Sequence, residues 1–381
     1  MLNEKKFKEL FQRKGEHLVS IFIPTYRANH AQEDRLRLKN ALKEASNQLE
    51  ERGMNKQEAH SCLEEAFQLV ENERFFSNLS DGLCLFIDQG YFHYEILPVN
   101  FNPYVYTGEQ FYLRPTLPVL TGQSRFFLLA LSQNEVRFFE GYQHSITPVK
   151  IDDLVPANMK ELFEMSDVKE HLQHHSGQGS QGGREAMFHG QGSGKDDRAE
   201  DLKKYFKEID SGLMEMLHDE KPPMVVAAVD YLLPIYKEVN TYPYLLDEHI
   251  SGNPEAEGPA ELHEKAWPIV SRHYKKQQEA DKTSFQQAMA QNKASADVHE
   301  IVPAAINGRV EVLYVNKDYH TYGRFDEKKN AITIHEKRRT DSKELLGIAA
   351  IQTYLQGGVV QLLERTEMPL PTANLNAVFR Y

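Results

Sequence analysis

Cysteine is almost missing from this chain: Cys62 and Cys84 are the only two in 381 residues. That excludes a disulfide framework, and since both sit among apolar neighbours, buried free thiols are expected. Long apolar runs are missing too. No stretch approaches the roughly 18 residues needed to cross a bilayer. The opening "MLNEKKFKELFQRKGEH" carries neither an apolar signal core nor a small-residue cleavage site. No membrane partner and a cytoplasmic location are therefore expected. Positive charge is in deficit, with 44 Lys and Arg against 56 Asp and Glu, a net charge of −12. Non-specific nucleic-acid affinity comes from cations that neutralise phosphates, so the chain as a whole is not a general nucleic-acid binder. Local basic patches remain compatible with RNA contact.

Glycine, by contrast, is concentrated in one place. Seven of the nineteen residues from Ser176 to Gly194 are glycine, out of 22 in the chain. Without a Cβ, glycine reaches backbone conformations closed to other residues, and it loses most entropy on ordering. The loop 173–199 is thus either flexible or built to lie flat against another surface. It is the expected working part of the molecule.

The rest reads as a multidomain α/β protein, its length suiting two or three domains of about 100–150 residues. The run His17–Pro24 predicts a buried strand, Glu33–Arg52 a helix, and Asn55–Glu73 a second helix forming a hairpin with it. Gly82–Asp88 and Tyr91–Leu97 predict a strand pair across Gln89-Gly90. Arg125–Leu131 and Glu135–Glu140 predict another. After the glycine loop, Leu202, Tyr205, Phe206, Ile209, Leu213, Met216 and Leu217 recur at the helical period within Asp197–Leu217. "MVVAAV" (224–229) follows as a buried strand, and "ISGNPEAEG" (250–258) reads as a linker. Beyond it, alternating helices and strands predict a small sandwich. The expected domains are 1–120, 121–250 and 259–381.

Four chemistries can be tried on the loop. Gly177-Gln178-Gly179-Ser180-Gln181-Gly182 formally matches a dinucleotide fingerprint but lacks the strand before and the helix after it. Gly194-Lys195 resembles the end of a phosphate loop, yet Asp196 stands where a hydroxyl would meet magnesium, and His189 where the opening glycine belongs. His171, His174 and His175 share a helical face, with His189 further on. No carboxylate or thiolate joins them at a matching offset, so structural or solvated histidines are expected and no metal. Ester chemistry gives the residues a task. In His189-Gly190-Gln191-Gly192 the glycines let the backbone approach a crowded ester and offer N–H groups to an oxyanion, while Gln191 orients a water. No cofactor is implied.

The stretch "HGQGSGKDDRAEDLKKYFKEIDSGL" (189–213), with "PPMVVAAVDYLLPIYKEVNTYP" (222–243), resembles the bacterial branch of the archaeal and eukaryotic peptide-chain release factor and Pelota superfamily. The resemblance implies an N-terminal α/β domain with a helical hairpin and an RNase H-like middle domain bearing the loop. A C-terminal α/β/α sandwich like that of kink-turn-binding ribosomal proteins completes it. It also implies the ribosome as partner, through ribosomal RNA and tRNA, and a translational GTPase. Gln191 and Gly190 match the superfamily's Gly-Gly-Gln loop, which promotes peptidyl-tRNA hydrolysis. His189 replaces the other glycine, and its Cβ changes the backbone the loop can adopt. The hairpin tip, Arg52-Gly53-Met54-Asn55-Lys56, departs from the Asn-Ile-Lys-Ser of stop-codon decoders, so rescue of stalled ribosomes or occupation of idle ones is expected instead. Peptidyl-tRNA hydrolysis and a ribosome-independent interaction module stay open as alternatives. Arg184, Lys195 and Arg198 flank the glutamine loop as candidates for RNA backbone, and Lys337, Arg338 and Arg339 form the best local basic patch.

Overall fold

A computed structural model describes residues 2–26, 30–162 and 196–381. By their contacts they fall into two compact units, 1–124 with 274–381, and 125–273.

The first unit starts from the strand Lys14–Pro24, which pairs antiparallel with Gly82–Asp88 on one side and Tyr104–Gln110 on the other. Tyr91–Leu97 closes that four-stranded sheet at one edge. Successive side chains of a strand point to opposite faces. Val19, Ile21 and Ile23 therefore meet Leu38, Leu42, Ala45 and Leu49 of the helix Ala31–Glu51, while Leu18 and Phe22 join Phe7 and Leu10 on the other face. Burial on both faces explains why 18–24 reads as an apolar run broken only by Ser20, whose Oγ accepts from the Tyr112 N–H. The expected second helix is interrupted: Lys56–Cys62 and Glu64–Val70 are separated at Leu63, and Asn72 caps a further turn, Glu73–Phe76.

The core on the Leu18 and Phe22 face also contains Ile301, Val302, Leu313, Leu346, Ala350 and Phe379. The regions expected as separate domains, 1–120 and 259–381, thus share one hydrophobic cluster. Their shared core is built on the sheet Ala294–Ser295, Leu375–Phe379, Val310–Asn316 and Val359–Leu363, with the helices Val298–Ile306 and Leu345–Leu355. Inside it Arg114 and Glu344, both almost fully buried, lie 3.5 Å apart. Arg114 donates to the Tyr319 and Lys317 carbonyls. Glu344 accepts from the N–H groups of Thr321 and Gly347. A buried charge is tolerated only when paired and hydrogen-bonded in this way.

In the second unit a five-stranded sheet runs in the order Ile146–Val149, Val136–Gly141, Phe126–Leu131, Met224–Ala228, Ile250–Ser251. The first three strands are antiparallel, and the last two lie parallel to Phe126–Leu131 and to each other. A 3-2-1-4-5 order of this kind is that of the expected RNase H-like domain. One face is covered by the helix Asp196–Leu217, whose Leu202, Tyr205, Phe206, Ile209, Leu213 and Leu217 are buried at the predicted spacing. On the other face Phe126 meets His263 and Trp267 of the helix Pro259–Ala290. The stretch 250–258 is not a linker. Ile250–Ser251 is the edge strand, Glu255 accepts from Ser132 Oγ and Asn134 Nδ2 at 2.6 and 3.0 Å, and Arg137 donates to the Glu257 carbonyl. Its polar Gly/Pro composition reflects a tight turn held by side chains.

Candidate functional site

Open α/β sheets bind ligands beyond the carboxyl ends of their parallel strands. In the second unit those ends are Leu131, Ala228 and Ser251, followed or accompanied by Ser132-Gln133-Asn134, Asp230-Tyr231 and His249. Ser132 Oγ accepts from the Asn134 and Glu135 N–H groups, which turns the chain sharply after the strand. That turn leaves Gln133 at the edge. Its side-chain nitrogen donates to the Tyr231 hydroxyl at 2.9 Å, and its side-chain oxygen accepts from Arg198 at 3.1 Å. Its carbonyl accepts from the Met159 N–H at 3.0 Å. Tyr231 is 59% exposed, a large ring offered to solvent and held in place by an amide.

Beside it Ser251 Oγ donates to Asp230 Oδ1 at 2.7 Å, and His249 Nε2 lies 3.2 Å from the same oxygen. The Ser251 bond first, then His249, hold the Asp230 carboxyl below its usual range. These three residue types resemble a catalytic triad, but the roles do not fit. The carboxylate and the hydroxyl both meet Nε2, and the serine proton goes to the aspartate rather than to the imidazole. The trio secures the edge strand. Glu255 is likewise held below its usual range, by Ser132 first and Asn134 next. Among the described residues no group of three His, Cys, Asp or Glu side chains could hold a metal ion. The edge therefore presents an exposed aromatic ring, a primary amide and one guanidinium. These are contacts suited to stacking and to hydrogen bonds with a polar, anionic ligand.

The candidate residues separate as follows. His189, Gly190, Gln191, Gly192, Arg184 and Lys195 lie outside the described residues, as do His171, His174 and His175. Arg198 stands in the first turn of its helix, on Gln133. Lys337, Arg338 and Arg339 belong to the other unit. Lys337 and Arg339 are exposed. Arg338, expected to reach phosphate, is turned inward: it donates to the Thr107 carbonyl and to Gln48 Oε1, and stacks over Tyr106 with its guanidinium 4.6 Å from the ring centre. Gln133 and Tyr231 went unread in the sequence. The only signal was their place just after apolar strands, where Ser132–Asn134 reads as an ordinary hairpin turn. Cys62 and Cys84 are free, and burial pushes the Cys62 thiol up to about 11. No helix among the described residues is long and apolar enough to cross a membrane.

Residues 126–272 match the family described as bacterial archaeo-eukaryotic release factor family 7. No curated protein matches the chain. Among solved structures, the archaeal translation termination factor aRF1 aligns at 12% identity over 99% of this chain and 96% of that one, with a TM-score of 0.24. Ribosome-bound archaeal Pelota, solved with ABCE1, aligns at 13% identity over 76% and 72%, with a TM-score of 0.41. Dom34 of S. cerevisiae, titled a translation termination-like factor that interacts with Hbs1, aligns at 12% over 79% and 73%, with a TM-score of 0.39.

Proposed function

We propose, from the match of residues 126–272 to the family described as bacterial archaeo-eukaryotic release factor family 7, that the chain is a ribosome-binding translation factor. It acts on stalled or idle ribosomes and not at stop codons. The observation that carries this reading is at Gln133. The described residues on both sides of the glycine-rich segment, Met159 and Arg198, bond to this one side chain and its backbone at the sheet's carboxyl edge. The edge would then meet tRNA or ribosomal RNA through Tyr231, Gln133 and Arg198, with a translational GTPase as a further partner.

The hairpin tip supports the part of the reading that concerns stop codons. Arg52 is committed to the Thr340 and Glu16 carbonyls, and Asn55 caps the helix that follows it with a capping box to Glu58. Side chains that hold their own fold are poorly placed to read a codon.

A second reading is favoured by the Gly190-Gln191-Gly192 sequence: hydrolysis of peptidyl-tRNA, with Gln191 orienting water and backbone N–H groups receiving the oxyanion. The test is co-sedimentation with ribosomes from growing and stationary cells, for the intact chain and for Gln191→Ala. Both are expected to co-sediment. Failure of the intact chain with either preparation would overturn the ribosome reading. Peptide release from stalled complexes by the intact chain, lost in Gln191→Ala, would establish the hydrolase. A ribosome-independent protein-interaction module would instead keep its partner after residues 176–194 are deleted and the basic patch at Lys337, Arg338 and Arg339 is neutralised.

A further inference from the structure

The turn 335–343 of the first unit is fixed at both ends. His335 Nδ1 and Ser342 Oγ lie 2.6 Å apart, Ser342 Oγ accepts from the Arg339 N–H at 3.0 Å, and the Ser342 N–H donates to the Arg339 carbonyl at 3.1 Å. Arg338 anchors its middle by the bonds to Thr107 and Gln48 and by stacking on Tyr106. At the end of the helix that carries Gln48, Arg52 at the hairpin tip donates to the Thr340 carbonyl at 2.7 Å.

The anchoring sorts the charges. With Arg338 held inward, its neighbours Lys337 and Arg339 are exposed, as is Lys343, and none of the three makes an ion pair with a described residue. Two carboxylates, Glu336 and Asp341, share the turn, and Asp341 is neutralised by Arg324 at 3.1 Å. A chain of net charge −12 here holds three cations that pair with no described residue, on a turn held by hydrogen bonds. Surface lysines and arginines on helices commonly find an i,i+3 or i,i+4 partner, as Lys6 and Lys8 do in this chain. These three find none among the described residues, and their backbone is already held by hydrogen bonds, so binding would cost little further entropy.

We propose that Lys337, Arg339 and Lys343 form an RNA-backbone contact site, with Arg338 and Arg52 holding the turn that presents them. The choice of RNA among polyanions rests on the ribosome reading above; the site itself lies in the unit 1–124 with 274–381. Each phosphate contact releases counterions, so binding must weaken with salt.

The probe is a fluorescein-labelled 20-base-pair RNA hairpin, titrated with the full chain at 50–200 mM KCl and read by anisotropy. The triple variant Lys337→Ala, Arg339→Ala, Lys343→Ala is expected to weaken binding about tenfold at 100 mM. It should also lower the slope of log affinity against log salt by about two to three. Three other exposed cations of the same unit, Lys5, Lys8 and Lys39, serve as control, and replacing them by Ala should change affinity less than about twofold. Equal weakening by both triple variants would reduce the effect to net charge and overturn the proposal. So would an intact chain that ignores the hairpin. If that chain still co-sediments with ribosomes, the site falls and the ribosome reading stands.

Discussion

The Arg198 guanidinium donates to the side-chain oxygen of Gln133 at 3.1 Å, tying the first turn of a long helix to the carboxyl end of the central strand. The pair is exposed, and exposed pairs of this kind contribute about 0–1 kcal/mol to folding. Its value would lie in what it presents. Gln133→Ala and Tyr231→Ala are each expected to leave thermal stability within about 1 kcal/mol of the parent while lowering ribosome affinity about five- to tenfold, the size of one lost polar or stacking contact. Quantitative co-sedimentation reads the second effect. Unchanged affinity in both variants would remove this edge from the binding surface.

Arg114 and Glu344 pose the opposite case. Both are buried, and removing one leaves the other charged and unpaired, at a cost of about 3–5 kcal/mol. Arg114→Met should therefore destabilise the unit built from 1–124 and 274–381. Trp267, the single tryptophan, stands beside Phe126 in the other unit. In a urea titration the far-UV signal of Arg114→Met should gain an early transition, while the tryptophan fluorescence midpoint stays near that of the parent. A tryptophan transition displaced as far as the far-UV one would mean that the units do not unfold separately.

Local patterns and long-range contacts differ in how well the sequence shows them. The strand pair Gly82–Asp88 and Tyr91–Leu97 and the face of helix 196–217 were legible because periodicity is local. Arg114 gave no sign, since its partners, at 317, 319 and 344, are some 200 residues away and include two backbone carbonyls. The inward turn of Arg338 is hidden for a related reason: a Lys-Arg-Arg run gives no clue that its middle member stacks on Tyr106. The strand Tyr322–Asp326, short and half polar, also lacked an apolar pattern to announce it. At the sheet edge, the strands could be read but the residues after them could not, because a turn residue and a ligand-facing residue look alike in sequence.

His320 makes the pH response of the first unit testable. It stacks on Tyr104 with ring centres 4.4 Å apart. Burial first, and then the nearby Arg114 and Arg338 cations, push its pKa down to about 4 from the ordinary 6.5. Between those values the unfolded chain binds the proton and the folded chain does not. Stability from this group is full above about pH 6.5 and falls as the pH drops toward 4. With solvent partly screening the site, about 1–2 kcal/mol is at stake. Glu344, pushed up by burial, acts with the opposite sign, so only the difference between parent and variant isolates the imidazole. His320→Gln should lose less stability than the parent between pH 7 and 5 in urea titrations. Parallel losses would show that this imidazole titrates normally.

Gly212 sits buried in the helix Asp196–Leu217, where a Cβ would collide with the Leu154 carbonyl oxygen and crowd Val155. Two effects compete in Gly212→Ala. Helix propensity favours alanine by about 1 kcal/mol. The collision is with backbone, and Leu154 is held in its turn by a bond from its N–H to the Ile151 carbonyl at 2.9 Å, so it cannot yield as a side-chain tip would. Overpacking of this kind costs about 1–3 kcal/mol or more, and the clash should win. Gly212→Ala is expected to lower the urea midpoint followed by Trp267 fluorescence, whereas Ser211→Ala on the exposed side should leave it unchanged or raise it slightly. A rise in both would mean that helix and turn can part without cost. In that case this glycine would not be what sets the distance between the helix leading out of the glycine-rich segment and the turn at 151–155.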